Sequence, residues 1–127
     1  MLYIFDINQI PLYPRPGYDA MIVSGQPEAA GRIISLSEDR KTARVIWRGT
    51  PGTYAFKPHP RMIDVAHIVY GSVVIHRPGQ AAIRLAAGSL VEFPRDPFDL
   101  EIIETFMKVS FLYDPEGLTV QAEPLGD

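Results

Sequence analysis

Cysteine is absent from this sequence of 127 residues. Its absence excludes a disulfide framework, a thiolate nucleophile and any zinc or iron–sulfur centre that depends on thiolate ligands. Because disulfides form mainly in oxidising compartments, a chain without cysteine also favours a reducing, cytoplasmic location.

The chain also lacks a strong bias of charge and a long apolar run. Its 12 basic and 15 acidic residues give a net charge of −3, and no basic stripe is present that could follow a phosphate backbone. The first residues, MLYIFDINQIPLYPRP, do not resemble a secretory signal, and no run of about 18 apolar residues occurs. We therefore expect neither nucleic acid nor a membrane as a partner.

The sequence does contain many short segments rich in Val, Ile, Phe and Tyr, separated by Gly, Pro and Asp. This pattern is typical of an all-β protein, and the 12 prolines oppose long helices. The length fits a single domain over residues 1–127. The predicted strands cover residues 2–5, 19–24, 31–36, 42–48, 52–57, 63–70, 72–77, 81–86, 89–93, 99–104 and 106–113.

Polar and glycine-containing segments predict the turns between these strands. Residues 37–40 and 77–80 are interpreted as turns, and Tyr70-Gly71 as a tight corner where glycine supplies a positive φ angle. Residues 117–127 have the composition of a loosely held tail. Strands of this number and spacing fit either a β-sandwich or a closed jelly-roll barrel, and composition does not choose between them.

Four spaced landmarks run through the later part of the chain: WRGTPG, DVAHIVYG, AAGSLVEFP and FMKVSF. Together, over about residues 44–114, they resemble small single-domain proteins of the cupin superfamily, of the ureidoglycine aminohydrolase and ethanolamine-utilisation type. The resemblance implies the cupin double-stranded β-helix, a jelly-roll barrel. It also implies N-terminal strands within residues 1–43 and a C-terminal tail at 115–127.

The first cupin motif contains a His-x-His pair followed by a Glu and, six residues further on, a Gly. Side chains two apart on a strand face the same way, so the two imidazoles and the carboxylate can share one metal. Six residues separate Asp64 from Gly71. The resemblance therefore assigns Lys57 and His59 to the His-x-His positions and Asp64 to the position of the Glu. In the second motif, Asp99 stands where the last His is usual.

Only one of the three imidazoles is retained in this pattern. His59, Asp64 and Asp99 could hold a divalent ion weakly, through one nitrogen and two oxygens. Lys57 opposes this, because a charged ammonium has no lone pair and repels a cation. We expect either no cofactor or a weakly bound divalent metal ion, and we expect Lys57 to pair with Asp64 at the barrel mouth.

Several of these residues also fit simpler roles. His59 is compatible with a surface loop between two prolines. His67 is expected to face away from the site, and His76 to face solvent. Lys108 matches a lysine of the family, but on an apolar strand it is interpreted as a side chain that reaches the rim.

The resulting expectation is a small cupin that binds a small polar or carboxylate metabolite in the barrel mouth. Lys57 would meet an anionic group, His59 would act as a catalytic or switchable acid or base, and Asp64 would orient them. The apolar walls expected for this pocket are Trp47, Tyr54 and Phe106.

Two other classes of function stay open at this point. One is a metal-dependent cupin enzyme, a hydrolase, isomerase or lyase of a small nitrogenous or carboxylate metabolite. The other is a structural partner of another protein, which would expose an apolar patch. The resemblance also implies a homodimer.

Overall fold

The computed structural model describes residues 6–123, and in this part of the chain antiparallel strands dominate. Two short 3₁₀ helices, Ile7–Gln9 and Pro16–Met21, lie on either side of the first strand. The strands are β1 (Tyr13–Pro14), β2 (Ile22–Gly25), β3 (Ala29–Leu36), β4 (Thr42–Gly49), β5 (Gly52–Phe56), β6 (Ile63–His76), β7 (Ile83–Ala86), β8 (Leu90–Glu92) and β9 (Phe98–Tyr113).

Strand β9 connects the two parts of the sheet. Along one edge it pairs with β4 and β5, and along the other edge it pairs with β6. Strands β3 and β1 extend the sheet beyond β4, β2 extends it beyond β5, and β7 and β8 both pair with β6. Every one of these pairs is antiparallel. The strands together form one curled sheet around a shared interior. The all-β prediction is confirmed.

Alternation along the strands explains which side chains form the core. On β9, Phe98, Leu100 and Ile102 are buried, whereas the residues between them are more exposed. Trp47 on β4 and Tyr54 on β5 join the same apolar cluster. Residues two apart on a strand share a face, so an apolar residue at every second position directs its side chain into the interior.

The predicted corner at Tyr70-Gly71 is wrong, because residues 63–76 form one continuous strand, β6. Gly71 does have the expected positive φ, +86°, and a Cβ at this position would lie 2.1 Å from the carbonyl oxygen of Thr105. The pairing of β6 with β9 shifts register on both sides of Tyr70. Gly71 therefore serves a β-bulge pressed against the neighbouring strand and not a turn.

The other predicted boundaries are partly confirmed. The two turns are present, with Arg40 N donating to the Ser37 carbonyl at 2.9 Å and Gln80 N donating to the Arg77 carbonyl at 3.1 Å. Segments 99–104 and 106–113 join into β9. Segment 19–24 is divided between the 3₁₀ helix Pro16–Met21 and β2. The predicted strand 2–5 lies outside the described residues.

The described part of the C-terminal segment is held to the sheet, which corrects the expectation of a loose tail. Leu118 is buried. The carboxylate of Glu123 accepts a hydrogen bond of 2.9 Å from Ile33 N and forms a salt bridge with Arg15. The composition of the segment could not predict this, because the contacts of Glu123 are made with Ile33 and Arg15, which are far away in sequence.

Across residues 6–123 there is no helix that combines the length and the apolar character required to cross a membrane.

Candidate ligand-binding cavity

A cavity of about 380 Å³ lies within the curled sheet, and residues of the 3₁₀ helix Pro16–Met21 contribute to its lining. Most of its lining is apolar, and five aromatic rings contribute to it. Beside these rings, the lining includes four polar side chains that can carry a charge or form hydrogen bonds. The aromatic residues are Tyr18, Trp47, Phe56, Phe93 and Phe98, and the four polar ones are Lys57, Asp64, Lys108 and Ser110.

Strand periodicity aims the polar side chains into this cavity. Lys108, Ser110 and Leu112 are spaced by two on β9, and all three line the cavity. The register of the sheet places Asp64 of β6 opposite Leu112. It also places Trp47 of β4 opposite Lys108. Three strands that are distant in sequence thus contribute to one polar region.

Asp64 and Lys108 form a salt bridge inside the cavity. Lys108 Nζ donates to Asp64 Oδ2 at 2.9 Å and to Ser110 Oγ at 2.6 Å. The side chains of Asp64 and Lys108 are only 19% and 14% exposed. The ring of Phe93 covers the ammonium, with its centroid 4.9 Å from Nζ.

The salt bridge corrects the expected pairing of Lys57 with Asp64. Lys57 lines the cavity but is exposed, and the ion pair of Asp64 is made with Lys108. The reason is geometric, because β6 and β9 are hydrogen-bonded neighbours, whereas Lys57 follows the end of β5 in a loop.

Two buried polar atoms of the lining have no hydrogen-bond partner within residues 6–123. They are Trp47 Nε1, which can only donate, and Asp64 Oδ1, which accepts when the carboxylate is ionised. Leaving such a group unpaired costs about 1–3 kcal/mol. A bound molecule that paired with either atom would recover part of that free energy.

Tyr18 closes one side of the cavity from the 3₁₀ helix Pro16–Met21. Its ring centroid lies 5.6 Å from that of Trp47 and 6.1 Å from that of Phe56. Burial raises the pKa of the Tyr18 hydroxyl, and the negative charge of Asp64 raises this pKa further. The hydroxyl therefore lies within the electrostatic influence of Asp64 and remains protonated at neutral pH.

His59 does not take part in this arrangement, although the spacing placed it there. It is exposed and absent from the cavity lining, and its Nε2 lies 2.6 Å from Arg61 Nη1. Strand β5 ends at Phe56, so His59 lies in a loop where the two-residue periodicity of a strand does not apply. The expected convergence of residues 57, 59 and 64 on one cavity holds for Lys57 and Asp64 and fails for His59.

The remaining predicted residues lie near the cavity but outside its lining. Tyr54 and Phe106 are fully buried and pack against Trp47, with ring centroids 5.9 and 6.2 Å from it. Asp99 is next to Leu100, which does line the cavity, so strand alternation turns Asp99 to the other face. The apolar wall predicted at Trp47 is therefore placed at the cavity, with Tyr54 and Phe106 packed around it.

The donor set does not fit the metal site that the cupin motif implies. In the part of the chain that the structure describes, no three His, Cys, Asp or Glu side chains lie close enough together to hold a metal ion. Asp64 Oδ2 is already paired with an ammonium, and His59 and Asp99 lie outside the cavity lining. The three residues assigned to a degenerate metal site are thus not brought together.

Sequence reasoning missed Tyr18, Ser110 and the Asp64–Lys108 pair. The spacing Lys108-x-Ser110-x-Leu112 carried a usable signal, because it puts three side chains on one face of a strand. Tyr18 carried none, since it precedes both the region that resembles cupins and the strand predicted to begin at residue 19.

Comparison with known proteins identifies the fold. No family model and no curated protein matches the sequence. Among solved structures, the cupin domain of Cnp3 from Schizosaccharomyces pombe aligns with a TM-score of 0.60 and 11% identity, over 87% of this chain and 73% of that chain. The protein therefore has the cupin fold, and the fold class expected from the sequence is confirmed.

Within that fold, the chain is similar to EutQ proteins. An ethanolamine utilization protein Q from Salmonella typhimurium LT2 aligns with a TM-score of 0.68 and 8% identity, over 87% of this chain and 84% of that chain. EutQ from Clostridium difficile aligns with a TM-score of 0.59 and 11% identity, over 69% of this chain. The aligned part is 64% of the C. difficile chain, slightly less than two thirds. At these identities the likeness defines the fold alone.

Proposed function

We propose that this cupin binds a small polar or carboxylate metabolite in the cavity of its barrel. The observation that carries the proposal is the Asp64–Lys108 salt bridge, set in a mostly apolar cavity beside the unpaired Trp47 Nε1 and Asp64 Oδ1. A concave apolar site with a few convergent polar groups is the usual form of a small-molecule site.

Stability alone does not account for the buried pair. Removing two charges from water costs several kcal/mol per ion, and well-packed apolar side chains often stabilise a core as well or better. The hydrogen bond within the pair, the bond of Lys108 to Ser110 Oγ and the Phe93 ring over the ammonium offset part of this cost, but one carboxylate oxygen stays unpaired. A ligand that hydrogen-bonds to the pair would supply the missing interaction.

Lys57 gives the cavity its attraction for anions. It lines the cavity and is exposed, so its ammonium lies at the mouth and keeps its hydration until a ligand arrives. The charges of Asp64 and Lys108 cancel each other, whereas no acidic side chain within residues 6–123 forms an ion pair with Lys57. A carboxylate at the mouth is therefore favoured over a cation.

Binding in this proposal does not depend on a metal. The alternative of a metal-dependent cupin enzyme is not favoured, because the cavity offers one carboxylate and two lysines where a metal would need several neutral or anionic donors.

Trp47 makes the proposal directly testable. It is the single tryptophan of the chain, and it lines the cavity, so its fluorescence reports entry of a ligand. We would screen a panel of small metabolite carboxylates by Trp emission and confirm hits by the shift of the melting temperature. At least one compound is expected to bind saturably, and Lys57→Gln is expected to weaken it.

Lys41→Gln is the matched control, because Lys41 is an exposed lysine in the turn before β4 and does not line the cavity. If no compound of the panel changes either signal, or if the best one binds Lys57→Gln and Asp64→Asn as well as it binds the unmodified protein, the proposal is wrong.

The expected homodimer stays a prediction. Leu90, Phe111 and Tyr113 are 75%, 50% and 41% exposed and do not line the cavity. Measurement of the molar mass in solution by analytical ultracentrifugation tests the prediction directly.

A further inference from the structure

The cavity combines an aromatic wall with one polar region. The rings of Phe56 and Phe98 lie nearly parallel, with centroids 5.3 Å apart and planes inclined by 14°, and Phe93 continues this series at 6.0 Å and 20° from Phe98. Trp47 meets Phe56 edge to face at 6.3 Å. Aromatic rings prefer offset or edge-to-face neighbours at centroid distances of about 4.5–7 Å, so this wall favours a ring over a flexible aliphatic chain.

The polar region selects a neutral group that can both donate and accept a hydrogen bond. Within the described residues, Asp64 Oδ1 lacks a donor, and Trp47 Nε1 lacks an acceptor in good hydrogen-bond geometry, although Trp47 lies near enough to the Tyr18 hydroxyl to lower its pKa. A carboxylate could not donate to Asp64 and would be repelled by its charge. An ammonium has no acceptor and would be repelled by Lys108. A hydroxyl meets both requirements without adding charge to the balanced Asp64–Lys108 pair.

Tyr18 strengthens the preference for a neutral group. It lines the same cavity, contacts the Trp47 ring, and is close enough to Asp64 for that carboxylate to affect its ionisation. Its protonated hydroxyl adds another neutral hydrogen-bonding group to this part of the lining. The residues that line this part of the cavity therefore carry a hydroxyl, an indole N–H, a carboxylate and the ammonium that balances it.

The mouth has a different preference. Lys57 is exposed, whereas the side chains of Asp64 and Lys108 are 19% and 14% exposed, so Lys57 lies closer to solvent than the ion pair does. A ligand carboxylate there would meet an ammonium while staying partly hydrated. The volume of about 380 Å³ is near the lower end of the range of about 300–1,000 Å³ found for small-molecule sites, so it suits a single ring better than a nucleotide.

We infer that the ligand is a hydroxylated aromatic carboxylic acid, with its ring against Phe56, Phe93 and Phe98, its hydroxyl at Asp64 and Trp47, and its carboxylate at Lys57. This inference rests on the proposed function, because it names the chemical class of the molecule that the same cavity binds.

A set of four probe types tests each part of the inference by calorimetry on the full chain. The reference probes are 3- and 4-hydroxyphenylacetate, which carry ring, hydroxyl and carboxylate. Phenylacetate lacks the hydroxyl, 4-hydroxyphenylethanol lacks the carboxylate, and succinate lacks the ring. At least one hydroxyphenylacetate is expected to bind about tenfold or more tightly than each of the other three, because a missing polar group leaves a site group unpaired and a missing ring loses the aromatic contacts.

Two variants connect the probe groups to residues. Lys57→Met is expected to weaken hydroxyphenylacetate about tenfold and to leave 4-hydroxyphenylethanol unchanged, while the control Lys41→Met changes neither. Trp47→Phe is expected to weaken the hydroxylated acid more than phenylacetate. Trp47 belongs to the core, so if this variant does not fold, the comparison of probes on the unmodified protein and on Lys57→Met is sufficient for the test.

The outcomes separate the two levels of the proposal. If succinate or another aliphatic acid binds and both hydroxyphenylacetates do not, the aromatic class is overturned and the proposed function stands. Equal binding of phenylacetate and the hydroxyphenylacetates overturns the role of the hydroxyl. If neither these probes nor the wider metabolite panel binds, both the class and the proposed function are wrong.

Discussion

Asp64 of β6 and Lys108 of β9, 44 residues apart in sequence, meet through a hydrogen bond of 2.9 Å inside the barrel cavity. The antiparallel pairing of their strands brings them together, with Asp64 opposite Leu112 and Lys108 opposite Ile68. The pair is partly buried and its charges cancel. It therefore gives the cavity polar character without a net charge at that point.

Breaking the pair should cost more than removing it. Asp64→Leu and Lys108→Met are each expected to lower the free energy of unfolding by about 2 kcal/mol, below the 3–5 kcal/mol of a fully buried pair because both side chains retain some exposure. The double variant should be less destabilised than the sum of the singles, since neither charge is then left alone. Urea denaturation of the four proteins measures the coupling, and strictly additive effects would contradict a net interaction between the two residues.

Gly71→Ala tests the bulge in β6. Its φ of +86° is costly for alanine, and the new Cβ would lie 2.1 Å from the backbone oxygen of Thr105, so the strands must separate. We expect a loss of about 3 kcal/mol or failure to fold. Gly79→Ala is the control, because Gly79 has φ +71° but no atom within 4 Å of the added Cβ, and it should lose only about 1 kcal/mol. Equal melting temperatures of the two variants would show that close packing at Gly71 is unimportant.

Tyr18 should affect stability in alkali. Burial and the charge of Asp64 raise its pKa above the ordinary value of 10.0, so the folded state favours the protonated hydroxyl. That contribution to stability is complete below pH 10.0, the value of an unfolded tyrosine, and is lost as pH rises through the higher folded pKa. Melting temperatures between pH 8 and about 11 should therefore fall less steeply for Tyr18→Phe than for the unmodified protein. Identical slopes would contradict the burial of this hydroxyl.

Glu123 should hold the C-terminal segment. Burial tends to raise its pKa, but hydrogen bonds from Ile33 N and Arg15 and the charges of Arg15 and Arg32 outweigh it, so the pKa is lowered from 4.5. Glu123→Gln is expected to lose about 1 kcal/mol at neutral pH and to be cleaved faster by chymotrypsin near Leu118. The stability from this carboxylate is present above pH 4.5 and is lost as pH falls through the lower folded pKa, so the two proteins should converge in acid.

Glu38→Gln provides the comparison for this variant, because Glu38 is an exposed acid in the turn before β4. Cleavage of Glu38→Gln and Glu123→Gln at the same rate would indicate that the Glu123 contacts do not hold the segment.

Metal content checks the fit of the donor set. Protein purified without a nickel-affinity tag is expected to contain no stoichiometric transition metal by elemental analysis. Added Zn²⁺ or Mn²⁺ is not expected to bind in the cavity and so should not raise the melting temperature. The reason is that Asp64 already pairs with Lys108 and that none of the three histidines, all within residues 6–123, lines the cavity. A stoichiometric metal that is lost in Asp64→Ala would overturn both this expectation and the proposed mode of binding.

Local signals predicted an all-β protein, and the resemblance of the spaced landmarks to cupins was needed to choose a barrel over a sandwich. Alternating apolar residues, turn residues such as Pro78-Gly79 and the spaced landmarks from WRGTPG to FMKVSF lie in short stretches, so they can be recognised without knowledge of contacts between distant residues. The main error concerned Gly71, where the need for a positive φ was correctly predicted but its setting, a bulge and not a corner, depends on contact with β9.

The candidate site could be predicted only in part. The spacing of the cupin motif indicates which positions lie near the site, but it does not indicate which side chains those residues contact. The sequence by itself determined an all-β protein, its resemblance to cupins indicated the barrel, and together they placed Lys57, Asp64 and Trp47 in the region that lines the cavity. Tertiary structure decided that Asp64 pairs with Lys108, that His59 turns away from the cavity, and that Tyr18 closes it. These outcomes depend mainly on strand register, which is set by contacts between residues tens of positions apart. The end of β5 had a local signal in the prolines on either side of His59, but the partner of Asp64 had none.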